Sequence, residues 1–380
     1  MIQNLQREPF RLFFPLGILL AWAGVFHWLL LGIGVIDSYH SIFHAMTQIQ
    51  GFLTCFVVGF LFTMIPRRTQ TAPPAVWELS FAVAAPILTV WAAWLERWAL
   101  AQTFWLTLVV VLIAFALRRF RSGKGMAIPN SFVWVPGALL LGVCGSVLAA
   151  VGAARGPSTM WLHDLGRALV LQGMITGMIL GVGGMLFPML TRGAMPIVAP
   201  SLRARLAHVL ALVCFAASFW IETRVDRSAG LLLRAAVIAS VLVLSAGMLR
   251  LPTRPELQRR LVWVAAWSLV LGPVLQAAFP GFRRAALHVT FIGGYALMTF
   301  AISVHVFLAH APRVVAQPRG RVRALAALML AALCFRGLMD FDPARFPLWI
   351  SLAAACFLTA TLVWASVIIP AARSLASRPA

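Results

Sequence analysis

The sequence predicts an all-α, polytopic transmembrane helical bundle of about twelve spans with both termini in the cytoplasm. Hydrophobic residues occupy 62% of the 380 positions and charged residues only 11%. The apolar runs repeatedly reach the roughly 20 residues that a membrane-spanning helix needs. Because these runs are continuous rather than alternating with polar residues, an outer-membrane β-barrel is excluded. The bilayer offers the backbone no hydrogen-bonding partners, so each run is expected to be a helix.

The hydropathy pattern places the spans in chain order. The first follows Arg7 and Arg11, is too long for a cleaved signal peptide and lacks a small-residue cleavage site, so we expect an uncleaved signal anchor. The longest polar connection, 118–131, carries the Arg, Gly and Pro residues expected of a loop. The predicted spans are 12–36, 40–65, 77–95, 99–117, 132–152, 164–191, 205–222, 229–249, 261–279, 286–310, 323–339 and 346–369.

No connection is long enough to form a separate domain, so residues 1–380 are predicted to form a single integral membrane domain. A division near 193–201 would give two halves of six spans each, 1–195 and 196–380. The two halves show no convincing similarity in sequence, and the internal repeat stays open.

The charges predict the orientation. If the N-terminus and alternate loops are assigned to one side, that side holds 21 of the 31 basic residues. Because cytoplasmic loops are enriched in Lys and Arg, both termini are assigned to the cytoplasm and the bilayer to a bacterial cytoplasmic (inner) membrane. The opposite side holds seven of the ten acidic residues: Asp37, Glu96, Asp164, Glu222, Asp226, Asp340 and Asp342.

The net charge of +21 is therefore a topology signal. Nucleic-acid binding would need a basic patch on a water-facing domain, and no loop is long enough to carry one. The five cysteines lie singly in apolar spans, without CxxC or CxxCH spacing. Structural disulfides, zinc sites and covalently attached c-type haem are therefore not predicted.

Histidines are the first candidates for chemistry. His40 and His44 lie four residues apart where the second span begins, and the spacing predicts one shared helical face. Imidazole is the commonest metal ligand in proteins, so a pair entering hydrocarbon points to a cofactor. His27, His163 and His288 are also assigned to the outer side, whereas the histidines assigned toward the cytoplasm are His208, His305 and His310.

Most of these histidines are individually expected to be satisfied polar groups at the membrane interface, with His44 and His288 the favoured ligands. His288 and His310 are 22 residues apart, about 33 Å along a helix, so they cannot bind one metal ion. If both are functional, the chain has two sites or a path between its faces.

The sixth span contains glycines at every fourth position, Gly173, Gly177 and Gly181, followed by Gly184. Close helix packing and a flat macrocycle lying against this bare face are both open explanations. Arg167, Arg234 and Arg336 lie just inside outer span ends. They either extend to lipid headgroups or pair with haem propionates.

Several motifs resemble those of the NnrS family, multi-span bacterial membrane proteins that contain haem and copper and are linked to the response to nitric oxide. The opening REPFRLFFPLG resembles the family's Pro- and Phe-rich start. FHAMTQIQGF with VVGFLFTMIPRRT resembles its W-H-A-H-E region and the segment beyond it. GVGGMLFPMLTR resembles a G-G-R-x-x-P-x-x-T pattern, and HVTFIGGYALMTFAISVHVFLAHAPR resembles a span that opens with His and closes with L-G-H-T-G-R.

The resemblance implies roles for particular residues. His44, His288 and His310 match family histidines. Met46 stands where a second histidine is usual, Thr47 where a glutamate is usual, and Met185 where the arginine of the double-glycine motif is usual. The chain thus looks like a divergent member, in which Met46 could offer a soft thioether to haem iron or Cu(I).

The leading functional hypothesis is an NnrS-like membrane protein that holds haem, expected to be b-type, with copper as a second candidate, and that acts in the response to nitric oxide, nitrosative or metal stress. Its candidate haem- or metal-binding residues are His44, His288, His40, Met46, His310 and His305. Nitric oxide is the expected ligand, while no particular reaction or protein partner is predicted.

Two other classes stay open. Twelve spans and a glycine-lined helix also fit a transporter or permease for a small solute or metal, although no acidic residue lies near the middle of a span, where proton-coupled transporters usually carry one. A respiratory oxidase-like subunit would need several ligand histidines, including an adjacent pair, and the chain contains no His-His.

Overall fold

The computed structural model describes residues 2–123, 125, 128–194, 200–311 and 318–376. In these ranges the chain is helical, without strands, and twelve helices are long and apolar enough to cross a membrane. The predicted all-α bundle is confirmed. The spans are α1 (Phe10–Gly32), α2 (Ser41–Thr69), α3 (Val76–Trp94), α4 (Trp98–Ser122), α5 (Asn130–Ala154), α6 (Pro157–Arg192), α7 (Leu202–Arg224), α8 (Arg227–Leu244), α9 (Leu257–Ala278), α10 (Pro280–His310), α11 (Arg319–Phe341) and α12 (Pro343–Pro370).

Some helix ends differ from the prediction because turn chemistry, not hydropathy, sets them. The sixth and tenth spans, predicted to start at 164 and 286, begin with prolines at Pro157 and Pro280. Proline suits a first helical turn, since its missing N–H would have no partner there. The eighth span, predicted to reach 249, ends at Leu244, because Gly247 adopts a positive φ of 61° and reverses the chain.

Three helices are interrupted by π-helical turns: α2 at Thr47–Leu53, α6 at Leu169–Met174 and α10 at Val289–Ala296. These three helices are also the most buried. The buried share of their most apolar windows is 78%, 72% and 61%, against 50% or less for the other nine described spans. A π-turn widens the helix and leaves backbone groups out of the regular ladder, so it is retained mainly where function or packing requires it.

The chain divides into two compact units. The first comprises residues 1–24, 40–182 and 198–224. Within it α2 contacts α3 and α4, while α5, α6 and α7 contact one another. The Phe-rich start of α1 packs here against α2: Phe14 stacks on Phe56 with ring centroids 4.4 Å apart, and Phe13 meets Phe62 edge-on. Aromatic packing of this kind stabilises a helix pair without requiring polar contacts in lipid.

The second unit comprises residues 25–39, 183–197 and 225–380. Within it α9 contacts α8, α10 and α11, and α12 contacts α10 and α11. The end of α1 approaches α12 closely, because Gly32 has no side chain to keep it from Ser351. The single-domain prediction and the halves 1–195 and 196–380 stay predictions, and the boundary between those halves lies outside the described residues.

Candidate functional site

Each helix that contains a π-turn carries a histidine shortly before that turn. His44 precedes the π-turn of α2, His163 that of α6 and His288 that of α10. The three helices are the second, sixth and tenth spans, so the pattern recurs every four spans. Three unrelated helices would not be expected to share a histidine, a π-turn and the deepest burial, and these positions define the candidate site residues.

His44 is held against α1. Its Nδ1 lies 2.6 Å from the backbone oxygen of Gly24, within the first unit. Gly24 lacks a side chain because a Cβ there would lie 2.9 Å from Thr47 Cγ2 and closer still to Gln48. Gln48 adds a second bond between the same helices, since its Nε2 donates to the Ala21 oxygen at 3.0 Å. Hydrogen bonds from residues on either side of Thr47, the first residue of the π-turn, therefore hold the start of α2 against α1.

His40 does not share a helical face with His44, contrary to the expectation from their spacing. His40 is the residue before the helix, with an extended backbone at φ −106° and ψ 90°. Its Nδ1 lies 3.1 Å from a carboxylate oxygen of Glu96, and both side chains are about half exposed. The four-residue spacing places two side chains on one face only where both residues are helical.

Met46 lies on α2, two residues after His44, and is partly buried. It packs against an apolar cluster that includes Leu20, Phe43 and Val90, and its sulfur lies 4.0 Å from Gln102 Nε2 on α4. Gln102 belongs to a buried polar network in which it exchanges two hydrogen bonds with Gln50 of the π-turn, at 2.9 and 3.0 Å. The thioether is therefore presented toward this network and α4.

His288 lies in the second unit and has partners at both ring nitrogens. Its Nδ1 is 2.7 Å from the Arg284 oxygen, and Arg336 donates from Nε to its Nε2 at 3.0 Å. Arg336 also contacts the sulfur of Met339. The sequence offered Arg336 as a partner for propionates, and the structure places it directly on the favoured histidine of α10.

Four histidines share one protonation pattern. A carbonyl oxygen can only accept, so a neutral histidine whose Nδ1 lies at such an oxygen is assigned the Nδ1–H tautomer, with its lone pair at Nε2. The histidines with this arrangement are His44, His163, His288 and His310, at 2.6, 3.0, 2.7 and 2.8 Å. His208 differs, because Trp134 Nε1 donates to its Nδ1 at 3.1 Å, which assigns the proton to Nε2.

His163 shares the arrangement of His44 and His288, although the sequence favoured only those two as ligands. Its Nδ1 bonds to the Ala149 oxygen of α5, and the helices meet at Gly152, against the backbone of His163. Sequence reasoning treated it as an isolated interfacial histidine. The signal that could have found it is its spacing of four spans from both His44 and His288.

The remaining predicted residues are distributed more widely. His305 lies within electrostatic range of Glu256, Arg259 and His310, inside the second unit. Arg167 is exposed, which fits a side chain that reaches headgroups. Arg234 is only 1% exposed and therefore cannot reach headgroups as that explanation requires.

The glycine face of α6 is a packing face. A Cβ at Gly177 would lie 2.9 Å from the Ala138 Cβ of α5, and a Cβ at Gly181 would lie equally close to Val135. Gly173 approaches the Phe219 ring of α7 at 3.6 Å from such a Cβ. Close helix contact thus accounts for Gly177 and Gly181 in the first unit, whereas a Cβ at Gly173 would make only ordinary contacts. Gly184 is buried on the continuation of α6.

Within the described ranges, no three His, Cys, Asp or Glu side chains cluster closely enough to hold a metal ion by themselves. A metal site built from those side chains in this conformation would have at most two of them per centre. Haem needs only one or two axial ligands from the protein, because its macrocycle supplies the other four.

Two of the motif regions that resemble the family meet in the first unit. Glu8 of the opening motif pairs with Arg11, and Arg67 at the end of α2 lies 3.5 Å from Glu8. A Cβ at Gly59 would lie 2.9 Å from Phe13 Cβ, so this glycine permits the two motifs to pack. The motifs at the start of α1 and the end of α2 are thus one structural contact.

These features define a multi-pass helical membrane protein with anchored histidines on its most buried helices. A family model described as NnrS protein matches residues 4–374, nearly the whole chain. The protein belongs to the NnrS family, as the motif resemblance indicated. A search of curated proteins found no match.

Proposed function

We propose that this protein binds haem through His44 and His288 in a bacterial cytoplasmic membrane and acts in the response to nitric oxide or metal stress. Membership of the NnrS family supports the proposed role in the response to nitric oxide. Each histidine is proposed as a ligand within its own unit, and His163 joins them as a third candidate because it shares their arrangement.

One observation carries the proposal: the Nδ1 of His44 and of His288 is anchored to a backbone oxygen next to a π-turn. Histidines that ligate metals characteristically donate their other ring N–H to a carbonyl or carboxylate, which fixes the ring and raises its basicity. The tautomer and orientation therefore suit coordination through Nε2, and the donor chemistry fits a haem iron.

Arg336 has a part in this arrangement. Because its Nε donates to His288 Nε2, coordination at that nitrogen requires the guanidinium to move away. The side chain is partly buried and lies next to His288 on α11. Its charge is then placed to pair with a propionate carboxylate, for which the planar guanidinium is the best-suited side chain.

Haem would supply an iron that, when ferrous, takes nitric oxide as a ligand. The chain's own contribution is to orient the histidines and to place them just before the buried segments of α2 and α10. Burial of that kind limits access of water and tunes a redox potential. Copper is the second proposed metal, with the Met46 thioether as the soft ligand that favours Cu(I).

The test is an optical spectrum of the detergent-purified protein, oxidised, reduced and with nitric oxide, together with elemental iron and copper analysis. We expect a Soret band that shifts with nitric oxide. His44→Ala and His288→Ala should each lower the iron content per chain at least severalfold. His40→Ala is the matched control, because His40 lies outside the helix and pairs with exposed Glu96, so this variant should keep its haem.

Arg336→Gln separates ligation from propionate pairing. It should retain haem if His288 is the ligand, since Nε2 no longer has to give up a hydrogen bond. A wild-type protein without colour or metal from haem-replete cells would contradict the proposal and favour the transporter class. Unchanged haem in the double variant His44→Ala, His288→Ala would remove these two residues as ligands.

A further inference from the structure

The second unit contains a basic cleft that the haem proposal does not use. It lies where α6 and α8 end and encloses a volume of about 490 Å³. Arg192 and Arg250 line it together with Leu244 and Leu249. Positive and apolar side chains thus border one space.

Arg192 is held in place by the turn that ends α8. Its Nη2 donates to the Ala246 oxygen at 2.8 Å and its Nη1 to the Gly247 oxygen at 3.2 Å. Gly247 has a positive φ of 61°, and a Cβ there would lie 3.2 Å from Arg192 Nη2. The glycine turn therefore orients both the carbonyls and the Arg192 guanidinium. Arg250 lies three residues after Gly247, and its side chain is exposed.

The surroundings of the cleft add further positive charge. The backbone N–H of Arg254 donates to the Thr191 oxygen at 3.1 Å, and Arg259 reaches the Leu190 oxygen at 3.4 Å. In the described segments 190–194 and 245–260 there are five arginines and one carboxylate, Glu256. That carboxylate lies 3.6 Å from Arg259 and therefore leaves most of the cluster uncompensated. Such a field attracts an anion.

The apolar wall indicates what kind of anion. Leu244 and Leu249 are 85% and 69% exposed, the values expected of side chains that face lipid rather than protein. A small soluble anion would not use these leucines. A phosphate attached to acyl chains would use both the arginines and the leucines.

We propose that this cleft binds the headgroup phosphate of an anionic glycerophospholipid, with the acyl chains against Leu244 and Leu249. Its position among the arginine-rich connections predicted to face the cytoplasm agrees with basic pockets of membrane proteins that bind anionic headgroups. The site is independent of the histidines, and it does not depend on whether the protein carries haem.

The test is native mass spectrometry of the delipidated full-length protein, titrated with phosphatidylglycerol and, separately, with phosphatidylcholine. We expect phosphatidylglycerol to bind more tightly. Arg250→Gln should weaken it about fivefold, the loss that one basic residue near an anionic surface produces. Arg192 is left intact because it also supports the α8 turn.

Arg203→Gln is the matched control, an exposed arginine on α7 of the same predicted membrane side. It should leave phosphatidylglycerol binding unchanged. Equal binding of both lipids, or an equal loss with Arg203→Gln, would show a non-specific charge effect and overturn the site. Displacement of bound phosphatidylglycerol by millimolar inorganic phosphate would likewise overturn it, because the phosphate alone would then account for binding.

Discussion

Individual polar residues in this chain are stabilised by specific partners, as burial in or near a membrane requires. Glu78 is the clearest example. It is 2% exposed, accepts from Arg118 at 2.6 Å and from Arg119 at 3.1 Å, and accepts the backbone N–H of the N-cap residue Ala75 at 2.7 Å. One carboxylate thus both starts α3 and joins it to α4.

Replacing this carboxylate should destabilise the first unit. We expect Glu78→Gln to lower the free energy of unfolding by about 1.5–3 kcal/mol, because charged hydrogen bonds are lost while Arg119 stays largely buried. The low end allows for the 56% exposure of Arg118. The measurement is thermal unfolding in detergent, with Glu96→Gln as the control. Glu96 is 59% exposed, and among the ion pairs of the described residues its partner is His40, so its replacement should have little effect on stability. If the two variants lost equal stability, the proposed role of Glu78 would be wrong.

Helices in this chain meet through two devices: glycines allow close contact, and π-turns redirect side chains in the most buried spans. Gly177 illustrates the first device, since α5 and α6 approach where it lacks a side chain. The π-turns of α2, α6 and α10 illustrate the second, each close behind an anchored histidine. We therefore expect substitutions near the π-turns to affect function and substitutions of the packing glycines to affect stability.

Replacing a glycine by alanine should distinguish glycines in tight helix contacts from glycines with open space around them. Gly177→Ala should destabilise the protein by about 1–3 kcal/mol, because the new Cβ would lie 2.9 Å from the Ala138 Cβ. Gly337→Ala on α11 is the control: a Cβ there meets nothing within 4 Å, so it should be neutral or stabilising by about 0.5–1 kcal/mol. Both are measured by thermal unfolding. If Gly177→Ala removed haem while leaving unfolding unchanged, the glycine face would be a cofactor surface instead.

At the scale of the whole molecule, charge is expected to decide the orientation. The side predicted to be cytoplasmic holds 21 of the 31 basic residues, and the described structure contains the twelve spans that this assignment needs. An even number of spans brings both termini to one side. Lys and Arg residues in the loops predicted to be cytoplasmic oppose translocation of those loops.

The chain allows a direct test because it contains a single lysine, Lys124, in a connection predicted to be cytoplasmic. A membrane-impermeant, amine-reactive reagent should therefore leave the protein unlabelled in spheroplasts and label it in inverted vesicles. Arg97→Lys places a second amine in a connection predicted to be external, and this variant should become labelled in spheroplasts. Labelling of the wild-type protein from outside would reverse the predicted orientation.

Much of the fold could be predicted from the sequence, because insertion into a bilayer depends mainly on local hydropathy. Twelve spans and the family follow from apolar runs and motifs, and both are confirmed. Helix ends were less predictable where Pro157, Pro280 or Gly247 decides them, since hydropathy does not register turn geometry. For the candidate site, the sequence favoured His44 and His288, which stay predictions, and it did not reveal that His163 shares their arrangement.

The sequence by itself determined the class of protein, its spans and the residues able to ligate a metal, because these depend on composition and on order along the chain. The tertiary structure alone decided that Nδ1 of His44 and of His288 faces a backbone oxygen, that His40 pairs with Glu96, and that Arg336 lies on His288. It also decided that Gly177 and Gly181 of α6 lie in close contact with α5. These outcomes depend on atoms distant in sequence, and no local pattern encodes the distance between two helices.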